Sequence, residues 1–217
     1  MKLTIVEYDS VVGKTDDLIL DDTHYYRYLI GKLIYLIISR PNICFAVQVL
    51  SQFMQRPKKS HWDAALSILR YLKKSPGQGV LLKRGSINNL IVFCDSDWAA
   101  CPNTRRSITC YVIQLGESLI SWKSKKQHKV NMSSIETEYR SMARAVAEII
   151  WWVGLLKELR MDITTPVRLC YDTKSAIQIT SNPIFHKRTK HIEIDCHFVR
   201  EKLKDGLIKT EYVGTKS

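Results

Sequence analysis

Three acidic residues stand where secondary-structure propensity would not put them. Asp95 closes the apolar stretch Leu90 to Cys94 and is followed by Ser96 and Asp97. Asp172 closes the apolar stretch Val167 to Tyr171, and Glu138 lies inside a long helical pattern on the side shared with Met142 and Ala145. In open α/β sheets, sites gather at strand ends. Two carboxylates at the ends of neighbouring strands, with a third from a covering helix, would form an oxygen-rich cage for hard divalent cations. Two Mg²⁺ ions about 4 Å apart in such a cage would activate a water and stabilise the leaving oxygen of a phosphodiester. Without metals, carboxylates this close could not all ionise at neutral pH. Each acid alone has a plainer reading. A strand-end Asp is commonly a turn former or N-cap, Asp172 before Thr173-Lys174-Ser175 would cap the next helix, and Glu138 would sit on a polar helix face. The order strand-Asp, helix-Glu, strand-Asp within one span favours the joint reading.

The elements that must position these acids follow from hydrophobic period. Residues up to about 75 read as helical. Asp21, Asp22 and Thr23 cap a helix through Tyr28, Leu29, Leu33, Leu36 and Ile37, which Ser39-Arg40-Pro41 stops. A second helix follows from Asn42 with Ile43, Val47, Leu50 and Phe53 at helical spacing, and Ser60 caps a third through Trp62, Ala65, Ile68, Leu69 and Leu72. After Ser75-Pro76-Gly77-Gln78-Gly79 the period changes. Val80 to Lys83 and Leu90 to Cys94 are apolar stretches on either side of a turn-like segment, and Thr109 to Gln114 and Ser118 to Trp122 are strands joined by Leu115-Gly116-Glu117. A helix from Ser134 to about Leu159 comes next, then a strand at Val167 to Tyr171, a short helix over Lys174 to Thr180, a basic loop, a helix from about Ile192 to Lys204 and a strand at Leu207 to Val213. The expectation is an α/β fold: a mixed β-sheet flanked by helices over residues 85–217, preceded by a small, mainly helical region over 1–84.

Composition narrows the class. The chain has 217 residues, 45% hydrophobic and 25% charged, with nine glycines and six prolines, which excludes disordered and fibrous chains. The formal charge of +12 points to a polyanionic partner, nucleic acid first. The six cysteines form no CxxC pair and lie mostly in apolar runs, so they read as reduced thiols of an intracellular protein. Met1 to Tyr8 lacks the layout of a secretory signal. The longest apolar run, Leu29 to Ile38, is broken by Lys32 and is half the roughly 20 residues a span needs, so no membrane partner is expected.

Six ordered blocks resemble a known family: Phe93-Cys94-Asp95-Ser96-Asp97-Trp98-Ala99, Thr104-Arg105-Arg106-Ser107, Ile120-Ser121-Trp122-Lys123-Ser124-Lys125-Lys126-Gln127, Ser133-Ser134-Ile135-Glu136-Thr137-Glu138-Tyr139, Cys170-Tyr171-Asp172-Thr173-Lys174-Ser175-Ala176 and Arg188-Thr189-Lys190-His191-Ile192-Glu193. They are similar to the ribonuclease H (RNase H) domain of copia-type LTR retrotransposon Pol polyproteins, plant elements especially. Upstream, Tyr26 to Leu33, Ser39 to Ile43 and His61 to Ala65 resemble the reverse transcriptase connection of the same polyproteins, so residues 1–84 read as a connection or thumb-like remnant and 85–217 as RNase H-like. The resemblance implies metal-dependent cleavage of RNA in RNA–DNA hybrids during reverse transcription, with Mg²⁺ as cofactor and Mn²⁺ as substitute. Asp95, Glu138 and Asp172 fall on the family's metal-binding, catalytic acids, and Asp97 on a supporting position. The implied partners are the hybrid and the upstream polymerase part of Pol, and the implied location is a cytoplasmic virus-like particle. No Tyr-Val-Asp-Asp polymerase motif occurs.

Departures from the family pattern matter as well. The family's fourth carboxylate comes from a helix after the last strand, following a Tyr-Val-Pro-Thr-Lys segment. Here Tyr212-Val213-Gly214-Thr215-Lys216-Ser217 carries Gly for Pro and stops, so the expectation is a C-terminally truncated domain lacking that helix, with Glu193 and Asp195 as poor substitutes. The alternative function is an inactive nucleic-acid-binding remnant. Ala100 and Cys110 stand where the family usually has glycine, and Asn131-Met132 where plant elements carry Ser-Arg; Cys110 raises the question of a positive φ.

Basic residues supply the binding candidates: Lys123, Lys125 and Lys126 after Trp122, Arg105 and Arg106, and Lys187, Arg188 and Lys190 on the loop after Asp172. A solvated loop is the plain alternative. His128, His186, His191 and Cys196-His197 lack zinc-finger or zinc-ribbon spacing. Trp151 and Trp152 read as packing residues, one of them able to meet the connection region.

Overall fold

The computed structural model describes residues 3–13, 16–172 and 193–214. The short helix over Lys174 to Thr180, the basic loop with Lys187, Arg188 and Lys190, and the histidines His186 and His191 lie outside the described residues. The chain divides into two compact units, Met1–Val80 with Cys101–Arg105, and Leu81–Ala100 with Arg106–Ser217.

The first unit contains α1 (Val6–Val12), α2 (His24–Leu36), a 3₁₀ turn at Pro41–Ile43, α3 (Cys44–Leu50) and α4 (Lys59–Lys73). Tyr26, Ile30 and Leu33 recur at i, i+4 and i+7 on α2 and pack against Val47, Leu50 and Phe53 and against Ala65, Ile68 and Leu72 of α4. The Tyr26 hydroxyl donates to the Leu50 carbonyl at 2.8 Å, so the polar end of a fully buried ring is satisfied. Arg40, next to the helix-stopping proline, donates to the carbonyls of Ser75 and Pro76 at 2.5 and 3.0 Å and so pins the Pro-Gly segment that ends the unit.

Two features here differ from expectation. Helix α1 was not foreseen, since seven residues give too short a periodic signal. Ser60 does not cap α4: the helix begins one residue after Lys58, whose backbone N–H donates to His61 Nδ1 at 3.0 Å, while the Ser60 N–H and hydroxyl both donate to Asp17, at 3.0 and 2.6 Å. The cause is a buried ion cluster. Lys58 is 2% exposed; its ammonium pairs with Asp9 of α1 and, at 3.1 Å, with Asp17. Burial opposes the Lys58 charge, but the hydrogen bonds to both carboxylates outweigh it and hold the lysine's pKa above the ordinary value. His61 Nε2 lies 3.0 Å from the Thr4 carbonyl and the ring stacks on Phe53 with centroids 3.8 Å apart. With Nδ1 accepting from Lys58, the ring is neutral and Nε2 carries the proton.

The second unit is built on a five-stranded sheet: β1 (Leu90–Asp97), β2 (Ile108–Leu115), β3 (Ser118–Lys126), β4 (Val167–Tyr171) and β5 (Ile208–Tyr212), in spatial order β3-β2-β1-β4-β5. β1, β2 and β3 are antiparallel neighbours, whereas β4 runs parallel to both β1 and β5. The result is one mixed parallel and antiparallel sheet, as expected from the sequence. Leu90, Val92 and Cys94 alternate inward on β1 and Tyr111 and Ile113 on β2, as a half-buried pleat demands. β4, flanked by parallel strands on both sides, is apolar or buried nearly throughout.

A parallel step from β1 to β4 requires a crossover. It is made by α5 (Ser134–Glu158), whose stripe Met142, Ala145, Val146 and Ile149 packs on Val92, Ile113, Leu169 and Ile208. The Ser133 hydroxyl caps it by accepting from the Glu136 N–H at 3.2 Å, and the Glu136 carboxylate accepts from the Met132 N–H at 2.8 Å. Helix α6 (Glu193–Lys204) adds Val199 to the same core. Trp152 packs on that core, whereas Trp151 is exposed. Val80 to Lys83 form no strand; the Lys83 N–H donates to the Ser118 hydroxyl at 2.8 Å beside the β2–β3 turn, where the Gly116 N–H donates to the Asn89 carbonyl at 2.8 Å and a Cβ on Gly116 would strike the Ser86 carbonyl. No helix among the described residues is long and apolar enough to cross a membrane.

Replacing Lys58 with Met leaves Asp9 and Asp17 as uncompensated charges, with an expected loss of about 3–5 kcal/mol in urea denaturation at neutral pH, shrinking as pH falls and the carboxylates protonate. Burial, aided by the Lys58 charge, pushes the His61 pKa down to about 4. Stability from this neutral imidazole is complete above the ordinary histidine pKa and is lost as pH falls toward 4, about 3 kcal/mol by linkage. Denaturation curves across that window should flatten in His61→Asn.

Candidate active site

Parallel pairing sets the two strand-borne aspartates. β1 and β4 are in register with Ile91 opposite Arg168, Val92 opposite Leu169 and Phe93 opposite Cys170. Continued by two residues, that register puts Asp95 and Asp172 at the same level of adjacent strands. Asp95 is not beyond its strand, as the apolar run suggested, but within it, because antiparallel pairing with Cys110 on β2 carries β1 on to Asp97. Both aspartates line one cleft of about 320 Å³, together with Phe93, Cys110, Val112 and Cys170.

Helix α5 is fastened to the same point of β1. The Ser141 hydroxyl donates to the Asp95 carbonyl at 2.9 Å, and Glu138 stands three residues earlier on the same helical face. Glu138 Oε2 is buried, and its charge, after burial itself, helps raise the hydroxyl pKa of both Tyr139 and Tyr171, the residue before Asp172. Glu138 does not line the cleft that holds Asp95 and Asp172.

A network of buried polar groups locks the start of α5. Asn131 Nδ2 donates to Thr137 Oγ1 at 2.8 Å and to Ser107 Oγ at 3.3 Å; Gln127 Nε2 donates to Thr109 Oγ1 at 2.8 Å and to the Thr137 carbonyl at 3.2 Å. Ser107 Oγ also accepts from the Ala99 N–H at 3.1 Å. Thr137 precedes Glu138, so this network fixes the turn that carries the glutamate. Ser141, Asn131, Gln127 and Thr137 were not among the expected site residues; Gln127 and Thr137 stand inside the blocks that carry the resemblance and Asn131 and Ser141 just outside them, but nothing local separates a buried amide or hydroxyl from a solvated one. The positive backbone angle suspected at Cys110 does not occur there. Among the described non-glycine residues positive φ occurs at Ala99, Arg105 and Arg160, and Ala99, at 52°, lies at the turn leaving β1.

Electrostatics single out Asp95. Desolvation raises its carboxyl pKa, the Ser96 N–H donating at 2.6 Å opposes the shift, and the charges of Asp172 and Asp97 add to it. The donor set fits a divalent cation in part: two acidic oxygens groups share the cleft, and a cation would relieve their repulsion. Among the described residues, however, no group of three His, Cys, Asp or Glu side chains is placed to hold a metal ion, so Glu138 does not close a cage with the two aspartates.

The basic candidates separate. Lys123, Lys125 and Lys126 line a second cleft, between β2, β3, α5 and α6, which does not contain the aspartates. Arg105 and Arg106 line neither cleft. Asp195, named as a substitute acid, lines the basic cleft, away from Asp95 and Asp172, and burial raises its pKa. All six cysteines are free thiols.

Comparison with known proteins agrees with this architecture. No family model matches the chain. It is 40% identical over 196 residues to the retrovirus-related Pol polyprotein from transposon RE2 of Arabidopsis thaliana, covering 90% of this chain and 14% of that protein. It is 42% identical over 196 residues to the corresponding polyprotein from transposon RE1 of the same plant, covering 90% of this chain and 13% of that protein. The chain thus spans about one seventh of the length of these relatives. Among solved structures, a foamy viral protease–reverse transcriptase in complex with double-stranded DNA matches all of this chain and 36% of its own at a TM-score of 0.53 and 13% identity, which is a likeness of fold. The chain belongs to the Pol polyprotein family of plant copia-type retrotransposons.

Proposed function

We propose that the second unit cuts the RNA strand of RNA–DNA hybrids during reverse transcription, with Asp95, Glu138 and Asp172 as its acidic residues. The observation that supports this most strongly is the β1–β4 register, which puts Asp95 and Asp172 side by side in one cleft. Asp95 and Asp172 would hold Mg²⁺, or Mn²⁺ in its place; Glu138 lies outside their cleft, on the α5 face that Ser141 fastens to Asp95. When bound, the cation supplies activation of water and neutralisation of charge at the phosphodiester. The protein's own part is placement. Asp95 is held in the pleat by pairing to Cys110 and its backbone is tied to Ser141; Tyr171 and Cys94 form a dry floor, both with pKa values pushed well up by burial. The substrate would be read through backbone shape and 2′-hydroxyls, with little dependence on sequence. The first unit is proposed as the connection to the polymerase part of Pol.

The test is cleavage of a labelled hybrid in Mg²⁺ and in Mn²⁺. Asp95→Asn and Glu138→Gln should each lower the rate at least about 100-fold. Cutting that survives both substitutions would overturn the assignment, and a chain that binds hybrid but cuts in neither metal is a binding remnant. A folded-state pKa raised above the unfolded value means that the ionised Asp95 opposes folding, so stability declines as pH rises through the shifted pKa. Asp95→Asn should therefore raise Tm at neutral pH in metal-free buffer, and the gain should vanish below the ordinary carboxylate range.

A further inference from the structure

The cleft between β2, β3 and α5 has a volume of about 420 Å³ and two cationic walls. Lys123 pairs across the sheet with Tyr111 and Lys125 with Thr109, so both lysines stand on the sheet face that carries α5. Arg140 and Arg144 lie one turn apart on the opposing helix wall, and Ala143 and Ala147, between and beyond them, leave the floor open. Each arginine already pairs with a carboxylate one turn away, Arg140 with Glu136 at 2.8 Å and Arg144 with Glu148 at 3.3 Å. Among the described residues no carboxylate pairs with Lys123 or Lys125, and Asp195, the one acid on the lining, feels the charges of Arg140 and Lys129. The ligand must therefore be anionic. Spacing along each wall is about 6–7 Å, two residues on a strand or one helical turn, which suits successive phosphates of one strand. Phe198 and the alanines add apolar surface beside the charges.

We propose that this cleft binds a nucleotide of an unpaired nucleic-acid strand, phosphates on Lys123 and Lys125 and the nucleoside against Ala143, Ala147 and Phe198. A space of this volume matches a small-ligand site of about 300–1,000 Å³ and is far too small for a duplex. The site is distinct from the aspartate cleft and rests on the nucleic-acid reading above, extending it to strand beyond the hybrid.

The experiment measures anisotropy of short labelled single-stranded DNA and RNA, titrated with the full chain over a salt series without divalent metal. The Lys123→Gln, Lys125→Gln double variant should bind both strands about tenfold more weakly. Its log–log salt slope should be shallower by about 1.4, two phosphates at about 0.7 each. Ala147→Leu, which fills the floor and keeps every charge, should weaken binding with the slope unchanged. Binding is read on single strands without divalent metal, and cleavage on hybrid with it, so loss of cleavage and loss of this site are separate results. Parent-like affinity in the double variant, or a loss confined to one type of strand, would overturn the assignment to phosphates.

Discussion

Parallel hydrogen bonding between β1 and β4 is the constraint on which the second unit depends. Two parallel neighbours cannot be joined by a hairpin, so 25 residues of α5 must cross the sheet, and the crossover delivers Glu138 and Ser141 to the β1 end that carries Asp95. The same pairing sets Asp172 beside Asp95. One register thus sets two acids from distant parts of the chain at one level, while α5 carries the third, Glu138, outside their cleft. The antiparallel partner on the other side extends β1 to Asp97 and turns the Asp95 side chain to the face shared by Cys110 and Val112.

The two units meet the demands of burial differently. The second keeps its core apolar and confines buried polarity to the Ser107, Thr109, Gln127, Asn131 and Thr137 network, where nearly every donor finds an oxygen. The first buries a full ion cluster around Lys58. A buried pair contributes little net stability over an apolar substitute, because desolvation offsets attraction; what it enforces is a single arrangement, since any other leaves a charge bare. Here that arrangement ties α1, the Asp17 segment and the start of α4, three pieces with little apolar surface to join them.

Long periodic elements were legible from sequence. The strands at 90, 109, 118, 167 and 207, the long helix after Ser134 and the three upstream helices all depend on alternation or helical stripes, which local sequence records. What could not be read depended on partners far along the chain. Val80 to Lys83 has strand composition yet finds no strand to pair with and ends beside the β2–β3 turn. Ser60 looks like a cap, but Asp17, 43 residues earlier, takes its hydroxyl. At the candidate site the residue types were visible and the neighbourhood of Asp95 and Asp172 follows from the fold, whereas the separation of Lys123 and Lys125 from that cleft depends on which face of β3 meets α5, a fact fixed by register and not by composition.

The sheet thereby sorts charge by face. On β2, Cys110 and Val112 look toward the aspartate cleft, while Thr109 looks toward the lysine-lined one. A polyanion approaching the acidic cleft alone would meet like charge, that of Asp172 and Asp97, which adds to burial in raising the Asp95 pKa. A formal charge of +12 reverses that at long range, because fields from exposed lysines add over a Debye length of about 8 Å while the acids act within their cleft. The basic and the acidic cleft therefore lie on different sides of one strand, and the pleat keeps them apart: residues one apart on β2 cannot exchange faces without slipping the register that aligns Asp95 with Cys110.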